Sequence, residues 1–177
     1  MDILQIRQQL ATHHQDSFAW ALRCCAGNRQ EAEDLLQSSY LKILEQKARY
    51  RQQQAQFKTW LFTIIRNTAV DFYRKKSPHV IQLNEALTGN IESFIDADTG
   101  LQEDETQAIF KEMLTQLSAQ QQQVLHLVFY QDMSIEEAAK VMGITTGTAR
   151  THYERGKKQL RKKLKQANLT RDLFNSP

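Results

Sequence analysis

Two stretches of this chain combine side chains that suit binding to nucleic acid. The first runs from Ser134 to Leu160, where a short amphipathic stretch ends at Gly143 and a strongly basic one follows. Between residues 150 and 165 there are eight Lys or Arg residues and one Glu, a net charge of +7. This excess favours a polyanionic partner, although a solvated basic helix would have the same composition.

The residues around Gly143 predict two helices joined by a tight turn. Ser134-x-x-Glu137 is a capping box that starts a helix, Gly143 can end it with a positive φ, and Thr145 can cap the next helix. This arrangement is typical of a helix-turn-helix, whose second helix enters the major groove of DNA. A plain helical hairpin is the alternative.

Helical periodicity indicates which side chains of the second helix could touch DNA. Ala149, Tyr153 and Gly156 share its inner face. The candidates on its outer side are Thr146, Arg150, Thr151, Arg155 and Lys158. Arg150 lies near the end that enters the groove and could pair bidentately with a guanine. Arg155 and Lys158 lie further along and are expected to contact phosphate, with simple solvation as the alternative.

The second stretch interleaves aromatic and basic residues between positions 47 and 76. Tyr50 lies between Arg49 and Arg51, ahead of a helical pattern that begins at Phe57. The candidate contacts in this stretch are Tyr50, Trp60, Arg66, Asn67, Arg74 and Lys75. Rings and cations in this mixture suit a single strand, whose bases can stack on aromatic side chains. Burial of Trp60 in the core, at the helical phase of Leu61, is the alternative.

The elements that must position these residues are predicted to be helices. The chain has 177 residues with only six Gly and two Pro, too few turn residues for a protein of many short strands. Apolar residues recur with helical spacing over 4–25, 32–44 and 57–72, and Ser77-Pro78 should end the third helix. A fourth helix begins near Ile109, and a capping box at Ser118 opens the next. The fold class is therefore all-α, with two small helical domains.

Charge divides the chain into three blocks. Residues 1–78 carry a net charge of +5, residues 79–108 carry seven acidic and no basic residues, and residues 109–177 again carry +5. The middle block lacks a sustained period, so we expect it to be an acidic linker. Its scattered apolar residues predict that it docks onto a partner.

Other classes of protein fit the sequence poorly. A run of apolar residues long enough to cross a membrane is missing, and the first ten residues do not resemble a signal peptide, so a cytoplasmic location is expected. Cys24 and Cys25 are adjacent, a spacing unlike that of disulfide frameworks or zinc sites. Catalytic and phosphate-binding motifs are also missing, so we expect neither an enzyme nor a cofactor.

Segments in both basic blocks resemble bacterial sigma factors. Residues 32–37 (AEDLLQ), 57–67 (FKTWLFTIIRN) and 71–76 (DFYRKK) are similar to the second conserved region of these proteins. Residues 117–125 (LSAQQQQVL), with the helix-turn-helix, are similar to the fourth region. A chain with these two regions resembles the short extracytoplasmic-function group. The chain departs from the common pattern at Ser38-Ser39-Tyr40, at His152 and at Gly156, so promoter specificity cannot be copied from a relative.

The resemblance implies that the three charge blocks have different roles. Residues 1–78 would bind core RNA polymerase through Asp34 and Gln37. They would also open and read the −10 promoter element with Trp60, Arg66 and Asn67, take a flipped base beside Tyr50, and hold the backbone with Arg74 and Lys75. Residues 79–108 would thread into the polymerase. Residues 109–177 would read the −35 element, and an anti-sigma factor would be a further partner. A helix-turn-helix regulator that acts without polymerase is the alternative function.

Overall fold

Residues 1–45, 49–51, 55–76, 113–114 and 116–166 are described by a computed structural model, and the elements in these ranges are helices. They are α1 (Ile3–Thr12), α2 (His14–Cys24), α3 (Arg29–Leu44), α4 (Phe57–Lys76), α5 (Ala119–Leu125), a π-helical segment (His126–Tyr130), α6 (Ile135–Met142) and α7 (Thr146–Gln166). The predicted all-α class is confirmed. The predicted linker, 79–108, and the proline stop at 77–78 lie outside the described residues.

Helices α1 to α4 form the N-terminal domain. The sequence predicted one helix over 4–25, and this was wrong in one respect, because the structure divides it at His13 (φ −98°, ψ 14°). The division follows from packing. Helix α1 buries only Leu10, whereas α2 buries six residues and lies against both α3 and α4. The apolar spacing runs through the break, so the pattern alone did not mark it.

Trp20 joins α2 to α4 at the centre of this domain. Its side chain is 1% exposed, and its indole N–H donates a hydrogen bond to the Phe62 carbonyl at 3.1 Å. The indole also stacks on the Phe62 ring, with centroids 5.8 Å apart and planes 5° apart. A buried Trp contributes a large apolar area to a core and needs a partner for its N–H, and Trp20 meets both conditions here.

Helices α5 to α7, with the π-helical segment, form the C-terminal domain. The predicted capping boxes at Ser118 and Ser134 are confirmed, since each Ser accepts from the amide three residues on and the Gln or Glu there bonds back to the Ser amide. Gly143 ends α6 in the left-handed region (φ +66°). The Thr148 amide donates to Thr145 Oγ1 at 3.2 Å, which caps α7 as predicted.

The two domains pack against each other through α4. One side of α4 lies against α2 and α3, and another lies against α6. Most of the buried apolar residues of both domains form one continuous cluster that extends from Leu10 to Ala149. We call this contact the interdomain interface. Its polar and aromatic members are Trp20, Arg23, Lys58, Thr59 and Arg66 on the N-terminal side, and Gln122, His126, Gln131 and Glu137 on the C-terminal side, where Gly143 lies beside Arg66.

A pair of glycine substitutions tests the turn between α6 and α7. Gly143→Ala should lower the free energy of unfolding by about 1–2 kcal/mol, because an L side chain is disfavoured at this φ. Its Cβ would also lie 3.2 Å from Arg66 Nη1. In the control Gly147→Ala the new Cβ meets only Thr145 Oγ1, at 4.0 Å, so stability should be kept or rise slightly. Urea denaturation measures both, and equal losses would contradict this account of the turn.

Candidate nucleic-acid interface

Helices α6 and α7 have the geometry of a helix-turn-helix. Three residues, 143–145, separate them, and Ala149 on the inner face of α7 is fully buried. Gly156 is also buried, and a Cβ there would lie 2.9 Å from Leu125 Cδ1. Its missing side chain therefore lets α7 approach α5 closely. The sequence had indicated only the cost of glycine to helix stability at this position.

The outer face of α7 presents most of the predicted DNA contacts to solvent. Arg150, Thr151, Arg155 and Lys158 are exposed, and Thr146 is half-buried at the start of the helix. Arg150 Nη2 lies 3.7 Å from Glu136 Oε1, both side chains remaining mostly exposed. A surface ion pair of this kind is weak, so a phosphate or a base could displace it.

Lys157 differs from its basic neighbours on α7. Its ammonium lies 4.7 Å from the centroid of the Tyr153 ring and 3.6 Å from Glu154 Oε1. Tyr153 in turn stacks on the exposed ring of Phe129. This lysine therefore packs along the protein surface, whereas Lys158 extends into solvent.

The predicted contacts around α4 fall into two groups. Tyr50, Phe57 and Trp60 form a cluster with ring centroids 5.2–5.3 Å apart, and the Tyr50 hydroxyl donates to the Ala55 carbonyl at 2.9 Å. Trp60 is half-buried in this cluster. The indole thus packs on its neighbours without being fully enclosed, so Trp60 is not simply a core residue, and its contact with a base stays a prediction.

The second group lies further along α4. Asn67, Arg74 and Lys75 are exposed, and Arg74 Nη2 is 2.8 Å from Asp71 Oδ1. Arg66 is different, because its guanidinium turns toward Gly143 at the end of α6. Burial lowers the pKa of Arg66, which still remains a cation at neutral pH. The structure therefore leaves three members of this group accessible and holds the fourth at the interdomain interface.

Asp34 and Gln37 lie together on α3. Both are exposed and line a surface groove of about 610 Å³, which also contains Phe18 and Tyr40. The Arg29 guanidinium lies 5.3 Å from the centroid of the Phe18 ring in this groove. An apolar floor with a carboxylate and an amide at its edge suits a protein partner.

Sequence reasoning missed the polar residues of the interdomain interface. Arg23 is 5% exposed and donates to Gln122 Oε1 at 2.9 Å, and Lys58 Nζ donates to the Gln131 carbonyl at 3.2 Å. A signal was present in Arg23, a charge within the apolar run 20–25. Burial lowers the pKa of Arg23 to about 10, so it is charged at neutral pH.

The other candidates for chemistry receive no support from the structure. Among the described residues no cluster of three His, Cys, Asp or Glu side chains could hold a metal ion. Cys24 and Cys25 are buried and form no disulfide, and burial raises the pKa of Cys24, which disfavours the reactive thiolate. Within the described helices none is long and apolar enough to span a membrane.

A helix-turn-helix beside a helical domain with basic and aromatic surface residues defines a DNA-binding protein of two domains. Residues 10–78 match the family model for Sigma-70 region 2, and residues 107–160 match the model for Sigma-70, region 4. The chain belongs to the sigma-70 family and is a sigma factor of the extracytoplasmic-function group. A regulator independent of polymerase, the alternative, would not account for the region 2 match.

Several known proteins share this organisation. The chain is 28% identical to the ECF RNA polymerase sigma factor SigX of Bacillus subtilis, over 85% of this chain and 79% of the relative. It is 28% identical to a probable RNA polymerase sigma factor of Haemophilus influenzae, over 90% and 86% of the two chains. The fold is similar to that of the sigma factor RpoE of Bartonella quintana, solved in complex with the anti-sigma factor NepR. That match has a TM-score of 0.66 and 25% identity, and it covers 91% of this chain and 97% of that one.

The two tryptophans allow a direct test of the geometry around α4. In Trp60→Phe, the remaining Trp20 should emit at short wavelength and resist acrylamide, because it is 1% exposed. In Trp20→Phe, the remaining Trp60 should be quenched several times more strongly, because this residue is only half-buried. Circular dichroism should first show that both variants are folded. Equal quenching of the two residues would contradict the half-buried position of Trp60.

Proposed function

We propose that this sigma factor binds core RNA polymerase and directs it to promoters by reading two DNA elements with two domains. Residues 1–78 bind the polymerase and open and read the −10 element, residues 79–108 link the domains, and residues 109–177 read the −35 element. The observation that carries the proposal is the presence of two separate sets of exposed basic residues, one on α7 and one on α4.

The −35 element is the target of α7. The N-terminal part of a recognition helix contacts base edges, and this part of α7 carries Thr146, Arg150 and Thr151. Arg150 is the candidate for base recognition, since its exposed guanidinium can make two hydrogen bonds with a guanine. Arg155 and Lys158 lie one to two turns further along and contact phosphates, which fix the register without reading sequence.

The −10 element is the target of the α4 surface. Tyr50 and Trp60 offer partly exposed rings on which an unstacked base can lie, and Asn67 offers an amide to its edge. Arg74 and Lys75 hold the neighbouring backbone, and Arg66 joins them once it leaves the interdomain interface. Binding to a single strand in this way stabilises melted DNA without a chemical step, so the protein has no catalytic site or cofactor of its own.

Two protein partners complete the proposal. Asp34 and Gln37, at the edge of the groove on α3, contact core RNA polymerase, and this partner implies a cytoplasmic location. The structurally similar Bartonella sigma factor was solved with an anti-sigma factor bound. An anti-sigma factor is accordingly proposed as a second partner for this chain.

Transcription with purified components tests this function. Core polymerase from the same cell, alone and with the chain, is given genomic promoter fragments, and the starts of the RNA products are mapped. We expect discrete starts only when the chain is present, and Asp34→Ala with Gln37→Ala should reduce its affinity for the core enzyme. Transcripts that do not depend on the chain would contradict the proposal.

Substitutions on α7 separate base recognition from phosphate contact. Arg150→Ala should remove discrimination at one upstream position, at a cost of about 1–3 kcal/mol for a bidentate contact. Lys158→Ala should weaken binding to all promoters equally and reduce the slope of log affinity against log salt by about one. Holoenzyme binding to a panel of promoter variants measures both. An unchanged ranking of the panel in Arg150→Ala would show that this side chain reads no base.

Substitutions near α4 separate promoter melting from assembly with the polymerase. Tyr50→Ala and Asn67→Ala should keep their affinity for core polymerase, because neither lies on the α3 groove, and should form fewer open complexes. Permanganate reactivity of unpaired thymines measures opening. On a promoter with a pre-melted bubble, transcription should return to the wild-type level if the defect is in melting and should stay low if the defect is in recognition of a base. Normal reactivity in both variants would exclude this assignment.

A further inference from the structure

The acidic side chains of the helix-turn-helix occupy three different environments. Residues 134–166 contain three of them, which are Glu136, Glu137 and Glu154. Glu137 belongs to the capping box of α6 and accepts a hydrogen bond from Thr59 Oγ1 on α4 at 3.1 Å. Glu154 lies 3.6 Å from Lys157 Nζ on its own helix. Glu136 reaches from α6 to α7, where it lies beside Arg150.

The contact between Glu136 and Arg150 joins the N-terminal parts of the two helices. Glu136 Oε1 lies 3.7 Å from Arg150 Nη2, and the two side chains are 58% and 62% exposed. Glu136 is the second residue of α6, and Arg150 is the fifth residue of α7. In a helix-turn-helix the first helix crosses the DNA backbone, and the N-terminal part of the second helix reaches the bases. The carboxylate therefore lies close to the place where Arg150 would meet DNA.

This carboxylate affects the two possible DNA ligands of Arg150 differently. A phosphate that bonds to the Arg150 guanidinium also comes close to Glu136, and the two negative charges repel each other. The edge of a guanine offers O6 and N7, which are neutral acceptors and meet no such repulsion. A guanidinium has more N–H donors than a bidentate contact uses, so it can hold a guanine and a carboxylate together. A phosphate and Glu136 compete for Arg150, whereas a guanine and Glu136 do not.

We propose that Glu136 is a specificity-determining residue, because it disfavours contact of Arg150 with phosphate and so reserves the guanidinium for a guanine. The inference rests on the proposed function, in which Arg150 is the base-reading side chain of the −35 interface. The ion pair itself contributes little at the protein surface. Its effect is on the competing ligand, since specificity is a difference of affinities and a group that repels the wrong ligand increases this difference.

Removal of the Glu136 charge gives Arg150 a second ligand on every DNA sequence. On a promoter that lacks the guanine, the guanidinium can turn to a phosphate and recover part of the lost binding. Affinity for the wrong sequence should therefore rise more than affinity for the right one. Discrimination falls while binding becomes tighter, and this combination differs from the loss of Arg150 itself, which weakens binding.

Binding of holoenzyme to a promoter panel measures the effect. The panel varies each position of the upstream element, and the position of interest is the one where Arg150→Ala removes discrimination. Wild type should prefer guanine there by about 5- to 150-fold, the range for a bidentate contact. Glu136→Gln should reduce this preference by about two- to fivefold, which is the size of an exposed charge interaction. Glu136→Asp keeps the charge and should retain most of the preference.

Glu154→Gln is the matched control. It removes the same charge from the same pair of helices, but its carboxylate lies beside Lys157 instead of Arg150. It should tighten binding to all promoters alike and leave the preference for guanine unchanged. The preference is a ratio of two affinities measured on one variant, so a partial loss of folded protein, which lowers both affinities equally, does not alter it.

A second measurement needs neither polymerase nor promoter. The full chain is titrated with a fluorescent duplex of random sequence at low ionic strength, where charges are least screened. Glu136→Gln should raise the affinity for this duplex. The gain should shrink in the Arg150→Ala background, because the guanidinium is then no longer available to phosphate. The gain from Glu154→Gln should be the same in both backgrounds.

The outcomes separate this proposal from the proposed function. If Arg150→Ala loses the preference for guanine and Glu136→Gln keeps it in full, the role of Glu136 is overturned and the promoter function stands. Equal gains from Glu136→Gln with and without Arg150 would also overturn that role. An unchanged preference in Arg150→Ala would overturn both, since Glu136 would have no base-reading side chain to act on. A failure of promoter-specific binding alone would leave the result with the random duplex unchanged.

Discussion

Helix α4 packs against both domains, and this packing fixes the positions of its neighbours and the surface it leaves accessible. One side of the helix completes the core of the N-terminal domain through Leu61, Phe62 and Ile65, which are all fully buried. Another side lies against α6 and joins the two hydrophobic cores into one. Because these residues are fixed by packing, only a limited part of α4 remains for a partner. That part carries Asn67, Arg74 and Lys75.

The C-terminal domain must hold a highly charged helix in a stable fold. Helix α7 is anchored by the cap at Thr145 and by the close approach of Gly156 to Leu125. With this inner face fixed, its cations extend into solvent at modest electrostatic cost. The cations of α7 repel one another in the free protein. In the presence of DNA the same cations make binding favourable and dependent on salt.

The sequence predicted the features that depend on local interactions. The capping boxes at Ser118 and Ser134 and the left-handed Gly143 each involve residues within four positions of one another, so their types and spacing were sufficient. The exposed face of α7 followed from the same periodicity. The break at His13 was not predicted, because it depends on how α2 packs on α3 and α4.

Contacts between residues far apart in the chain could not be predicted from the sequence pattern. Arg23 and Gln122 are 99 positions apart, and no local rule pairs them. Arg66 was predicted to contact DNA from its place on α4. Its position beside Gly143 depends on how the two domains pack against each other. The predicted roles of individual residues toward DNA and polymerase remain predictions.

The two domains of the free chain are packed together, and we expect them to separate when the chain reads a promoter. The most direct measurement compares energy transfer between dyes at Gln8→Cys and Gln159→Cys in the free chain and in the complex with core RNA polymerase, both at pH 8.0. We expect high efficiency in the free chain and low efficiency in the complex, because the polymerase must hold the two domains at separate promoter elements. The same efficiency in both states would contradict this expectation.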